Sequence, residues 1–173
     1  MAKLRKMLGD INSQESIDLM KTIETQNHYT LSSWAIHYAK ERYLEIYYQH
    51  SDDRFIDELI DVCLDYLEQK RALKEVKEIC KNSRKYISSI KDEIALASSR
   101  AILTACSSIM TPTNCYGFVL YGSAAMAYHQ VGLKQSQEIY DNLALQEMKH
   151  ALDSLKAIAI ENEENPVKVN WNC

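Results

Sequence analysis

At 173 residues the chain has the length of one domain, and folding at that size buries roughly 70% of the surface the unfolded chain exposes, so a core forms without a metal or a disulfide framework. With 46% hydrophobic and 25% charged residues but only four glycines and two prolines, it is too apolar for disorder and too poor in turn formers for an all-β sandwich. A net charge of -4 lacks the basic excess of a general nucleic-acid or membrane-surface binder.

Taken in chain order, the opening "MAKLRKMLGDINSQ" has basic residues but no apolar stretch of signal-peptide length. Asn12 and Glu15 have the spacing of a capping box, and Ile17, Met20 and Ile23 then recur at helical intervals, predicting a helix over 13–26. Thr30 caps a second helix to residue 49, with Leu31, Trp34, Ala35, Tyr38 and Ala39 as one stripe. Asp52 or Asp53 caps a third, in which Ile56, Leu59, Ile60, Cys63, Leu64 and Leu67 trace a buried face.

No proline or glycine occurs from Ala72 to Met110, yet one uncapped helix of that length is unusual in a small domain. A break near Asn82 and Ser83, or over 89–92, divides it into helices of 72–90 and 92–110. Pro112 ends that run. The helix over 114–130, capped by Thr113 or Asn114, carries Gly117, Gly122, Ser123, Ala124, Ala125 and Ala127; residues this small let backbones approach closely, which places it mid-bundle. Gly132 is its C-cap. Ser136 starts a last helix to Asn162, with Tyr140, Leu143, Ala144, Met148, Leu152, Leu155 and Ala159 inward. The expected fold is all-α: a single domain over 1–173, with an arm (1–12), a bundle of six or seven helices (13–162) and an extended tail (163–173).

Motifs of catalysis and cofactor binding are missing: there is no H-E-x-x-H, no Walker or Rossmann glycine pattern and no G-x-S-x-G. No catalytic residue, cofactor or metal is expected. Glu147 and His150 form one E-x-x-H, the spacing of a di-iron bundle, but such a site needs a second copy and further carboxylates. The pair is therefore assigned to a solvated helix face. His37 and His129, beside tyrosines, read as structural histidines, and Tyr43, Tyr47 and Tyr48 as core packing with hydroxyls at the rim. Five cysteines (Cys63, Cys80, Cys106, Cys115, Cys173) without a C-x-x-C pair read as free thiols in a reducing cytoplasm.

Charge is segregated. Residues 51–68 hold seven acidic side chains against Arg54 alone, and residues 69–91 hold eight basic ones against Glu75 and Glu78. Either the two segments are neighbours that neutralise each other, or Asp57, Asp61 and Asp65, one turn apart on one face, present an acidic ridge to a basic partner. At the end of the chain, Val167 and Val169 alternate with Lys168 and Asn170 after Pro166, and Trp171 falls on the valine side. That pattern predicts an extended strip strapped over the bundle with Trp171 as its plug, near Leu8, Ile11 and Ile23, with Asp10, Glu24 and Gln26 placed to bond Asn170 and Asn172; the competing reading is an exposed tail whose Trp171 anchors a partner.

The stretches "LGDINS", "MKTIETQ", "SSWAIHYAKERYLEIY", "MTPTNCYGFVLYGSAAMAYHQVGL" and "AIENEENPVKVNWNC" resemble, in this order, the immunity-five-like family of immunity proteins encoded in bacterial polymorphic-toxin loci. The likeness covers nearly the whole chain, is weakest over 50–100, and is most specific at the two ends. It implies an all-α, single-domain cytoplasmic protein that binds and neutralises a cognate protein toxin, and it carries over no catalytic residue; the expected mechanism is occlusion, and the charge balance leaves no nucleic-acid or membrane partner expected. Two other classes fit the residues: an enzyme whose pocket uses scattered groups such as Asp10, Glu24 and His129, or a helical adaptor or homo-oligomer.

Overall fold

The computed structural model describes residues 3–172, and in them the chain forms seven α-helices: α1 (Gln14–Ile23), α2 (His28–His50), α3 (Phe55–Leu67), α4 (Leu73–Ile87), α5 (Glu93–Ser107), α6 (Asn114–Val131) and α7 (Gln137–Ile158). No strand is found among the described residues. The free cysteines Cys63, Cys80, Cys106 and Cys115 are all buried, and burial pushes the Cys115 thiol up to about 12. Cys173 lies outside the described residues.

The long glycine-free run breaks at Ser88–Asp92, the second of the two expected places, because Asp92 offers its carboxylate to the backbone N–H groups of Ile94 and Ala95 at 3.0 and 2.8 Å. Ser83 stays inside α4 and is buried. Ser136 caps α7 through Ile139 N–H, and Gly132 closes α6 at φ +79°, a conformation that favours glycine. Three caps differ from expectation. Ser13, not Asn12, accepts from Ser16 N–H; Asn27, not Thr30, caps α2 by accepting from Thr30 N–H at 2.8 Å. At α3 the cap position is Arg54, while Asp53 accepts from Phe55 N–H at 2.9 Å.

Helix α6 occupies the middle and packs against α1, α2, α5 and α7. Its glycine explains how closely. A Cβ added at Gly122 would stand 2.0 Å from Cζ of Tyr43, and Tyr43 is fully buried among Tyr38 and Phe118, so the ring cannot step aside. Gly122→Ala is expected to destabilise by about 1–3 kcal/mol through overpacking. Chemical denaturation measures it, and a variant of unchanged stability would show that the ring has room to move.

The tail crosses the bundle beside the α1–α2 turn. Buried Gln26 is the hub: its side chain accepts from Ile160 N–H (2.8 Å) and donates to the Ile160 carbonyl (3.0 Å), while its own carbonyl accepts from Val167 N–H (2.8 Å). Because Ile160 gives both its backbone groups to Gln26, α7 ends at Ile158 rather than Asn162. Asn27 donates to the Glu163 carboxylate at 2.9 Å. Further on, Val167, Val169 and Trp171 lie half-buried against the core. The Trp171 indole N–H donates to Glu24 at 2.7 Å, and its ring meets Tyr116 edge-on at 6.0 Å. The expected bonds to Asn170 and Asn172 are replaced by these, since Asn170 turns back to accept from Asn172 N–H. Leu8 is covered by α6 and α7 instead of by the tail, and Ile11 is exposed.

Candidate partner-binding surface

The amphipathic pattern of α3 turns Ile56, Leu59, Ile60 and Cys63 inward, which leaves its acidic residues on the outer side, but the three aspartates of the ridge meet different surroundings. Asp57 is half-buried and accepts a hydrogen bond from the Tyr48 hydroxyl on α2. Burial and then this carboxylate push the Tyr48 phenol up to about 12, and Arg54 stacks over the same ring at 4.0 Å. Asp65 faces Arg71 at 3.5 Å across the α3–α4 turn. Asp61 is exposed and makes no ion pair among the described residues. Neutralisation by the basic segment is confined to the turn, where Lys70 meets Glu68 and Arg71 also meets Glu75. At the far end of the α3–α4 pair the Tyr86 hydroxyl donates to Asp53, and Tyr86 stacks on Phe55 with ring centroids 4.3 Å apart.

Glu147 is not on a solvated face. It is 3% exposed and receives a fork of bonds from Arg42, with Nη2 at 2.9 Å from Oε2 and Nε at 3.1 Å from Oε1. The Tyr38 hydroxyl donates to Oε1 at 2.7 Å and stands 2.8 Å from Nδ1 of His150. A phenol has one proton, so with that proton on the Glu147 bond it is His150 that donates, through an Nδ1–H tautomer. Desolvation and then Glu147 raise the Tyr38 pKa, which keeps the hydroxyl a donor and unsuited to act as a base. The Arg42 guanidinium is held charged by its bonds to Glu147. Both Glu147 oxygens and the Tyr38 hydroxyl are engaged, so the cluster fastens α2 to α7; no group of three or more His, Cys, Asp or Glu side chains fit to hold a metal occurs among the described residues.

The scattered groups of the enzyme alternative do not converge. Asp10 accepts from Asn12 N–H in a surface turn, Glu24 is engaged by Trp171, and His129 packs edge-on against His50 at 5.7 Å. His37 is exposed, with Nδ1 2.8 Å from the Ser33 carbonyl. Tyr43 and Tyr47 are fully buried, and Tyr48 alone of the three brings its hydroxyl to a partner on another helix.

Residues 21–154 match the family described as "Imm-5 like putative immunity protein". The chain belongs to this family. The matched span takes in α2 to α6 whole and most of α7, including the stretch over 50–100 where the motifs are least distinctive. "LGDINS" and the "NPVKVNWNC" tail lie outside it. Neither curated proteins nor solved structures give a match. Among the described residues no helix of this immunity-family chain is long and apolar enough to cross a membrane.

Proposed function

We propose that the protein binds a cognate bacterial protein toxin in the cytoplasm and neutralises it by covering the toxin's active surface, one inhibitor to one toxin, without catalysis of its own. Membership of the immunity family across residues 21–154 carries this reading. The outer face of α3 supports it as the place of first contact: Asp61, with Asp57 and Asp65 a turn to either side, puts negative charge where a basic toxin surface is steered to it. Titrating the cognate toxin, once a pull-down from the native host has identified it, with the purified protein tests the mechanism. Toxin activity is expected to fall linearly and to vanish at one molar equivalent. Full neutralisation by a small fraction of an equivalent would mean turnover and would overturn occlusion.

Changing Asp57, Asp61 and Asp65 together to Asn is expected to slow association about three- to tenfold at low salt and to flatten its salt dependence. Asp65 already faces a cation within the chain, whereas the neutral Tyr48 phenol leaves the charge of Asp57 in place, so Asp61→Asn together with Asp57→Asn is expected to produce most of the change. Stopped-flow association rates at several ionic strengths would expose an uninvolved ridge as rates equal to those of the parent.

A further inference from the structure

A second surface, of the opposite sign, lies on the other side of α4. Lys74, Lys77, Lys81 and Arg84 recur at i, i+3, i+7 and i+10, which is one exposed stripe of the helix. None of the four forms an ion pair among the described residues, where the salt bridges of this region stop at Arg71. Like charges one turn apart destabilise a helix; Glu78 lies within a turn of Lys74 and Lys81 on α4, but it forms no ion pair with either among the described residues.

The stripe runs into a cleft of about 460 Å³ between the end of α4, α5, α6 and the N-terminal segment. Arg84, Arg100 and Lys6 bring three cations to it, and Tyr121 adds a phenol; no hydrogen bond or ion pair within the described residues occupies any of these four side-chain ends. The hydroxyl protons of Ser88, Thr104 and Ser107 go to backbone carbonyls one turn back, and the Asn114 amide donates to the Ser107 carbonyl. Three cations, two of them guanidinium forks whose geometry matches a carboxylate, dominate what is left, with Asn114 Oδ1 and the Tyr121 hydroxyl as the side-chain acceptors beside them.

We propose that this cleft and the α4 stripe bind an extended acidic segment of a protein partner, one carboxylate entering between Arg84 and Arg100 and the following ones lying along Lys81, Lys77 and Lys74. A stripe of ten residues of helix spans about 15 Å, the reach of about five residues of extended chain. That continuity favours a run of carboxylates over a single small anion. The net charge of -4 disfavours nucleic acid, which draws on a basic excess over the whole domain. The site is separate from the α3 ridge, and its test needs no toxin, so it stands or falls apart from the immunity reading.

Fluorescence anisotropy of a labelled hexaglutamate peptide against the full chain at low salt tests it, with hexathymidylate and inorganic phosphate as the competing arms. Hexaglutamate is expected to bind more tightly than either. The double variant R84Q/R100Q is expected to weaken it about tenfold while the thermal midpoint stays put, because neither side chain forms a hydrogen bond or ion pair among the described residues, and R84K/R100K is expected to fall between the two. Undetectable peptide binding, binding indifferent to both variants, or tighter binding of hexathymidylate or phosphate would each overturn the proposal.

Discussion

Removing residues 166–173 is expected to lower the thermal midpoint by about 6–12 °C. The tail places one indole and two valine side chains half out of water, and at about 25 cal/mol per Å² of apolar area this contributes on the order of 3 kcal/mol. The Val167 bond to Gln26 and the Trp171 bond to Glu24 roughly offset the entropy of ordering the segment. For a chain of this size each kcal/mol moves the midpoint by about 2–4 °C. The loss also uncovers the Tyr116 ring that Trp171 meets. Differential scanning calorimetry of the truncated chain decides between two roles for the tail. A strap shows the drop with no partner present; an anchor reserved for the toxin leaves the midpoint where it was and abolishes binding instead.

Much of this architecture was legible in the sequence because it rests on local chemistry. Ser136, Asp92 and Gly132 end or begin helices for reasons contained within four residues of themselves, and the small residues of α6 announced a helix crowded on several sides. The caps that were misplaced, Asn12 for Ser13 and Thr30 for Asn27, lie where two capping residues sit within three positions of each other. There the choice falls to the direction of the incoming chain, and at Asn27 to a second bond with Glu163 in the distant tail. The end of α7 was misread for the same reason: Pro166 is visible locally, whereas Gln26, which draws Ile160 out of the helix, is 134 residues away.

Glu147 shows the other kind of failure. Its E-x-x-H spacing has no second copy and so reads as a solvated helix face, yet it lies three residues after Ala144 and seven after Tyr140, on the inward stripe of its own helix. A carboxylate on an apolar stripe requires a buried partner, and Arg42, one turn beyond Tyr38 on a stripe already read as buried, was the candidate. The acidic ridge was read from spacing alone. Spacing fixed the face of α3 but not which aspartates the rest of the chain would engage, since Tyr48 belongs to α2 and Arg71 to the turn beyond.

The buried ion pair makes a demand on stability as large as the tail's. Glu147→Ala leaves the Arg42 guanidinium facing a cavity with no acceptor, while the Tyr38 hydroxyl can turn to His150 Nδ1 at 2.8 Å, and breaking one side of a buried pair costs about 3–5 kcal/mol. Arg42 is 28% exposed and recovers some hydration, which puts the expected loss near the lower figure, about 3 kcal/mol or roughly 6–12 °C in midpoint. A residue on a solvated face would change stability by less than about 0.5 kcal/mol on the same substitution, so urea denaturation separates the two readings by a wide margin. The double variant R42M/E147L removes both charges and fills the space with apolar atoms, and it is expected to recover most of the loss, as replacing a buried pair with packed hydrophobes is often neutral. A single variant as stable as the parent would show that Glu147 carries no buried charge. A double variant no better than the single would show that the geometry of the fork, rather than relief of an unpaired cation, is what ties α2 to α7.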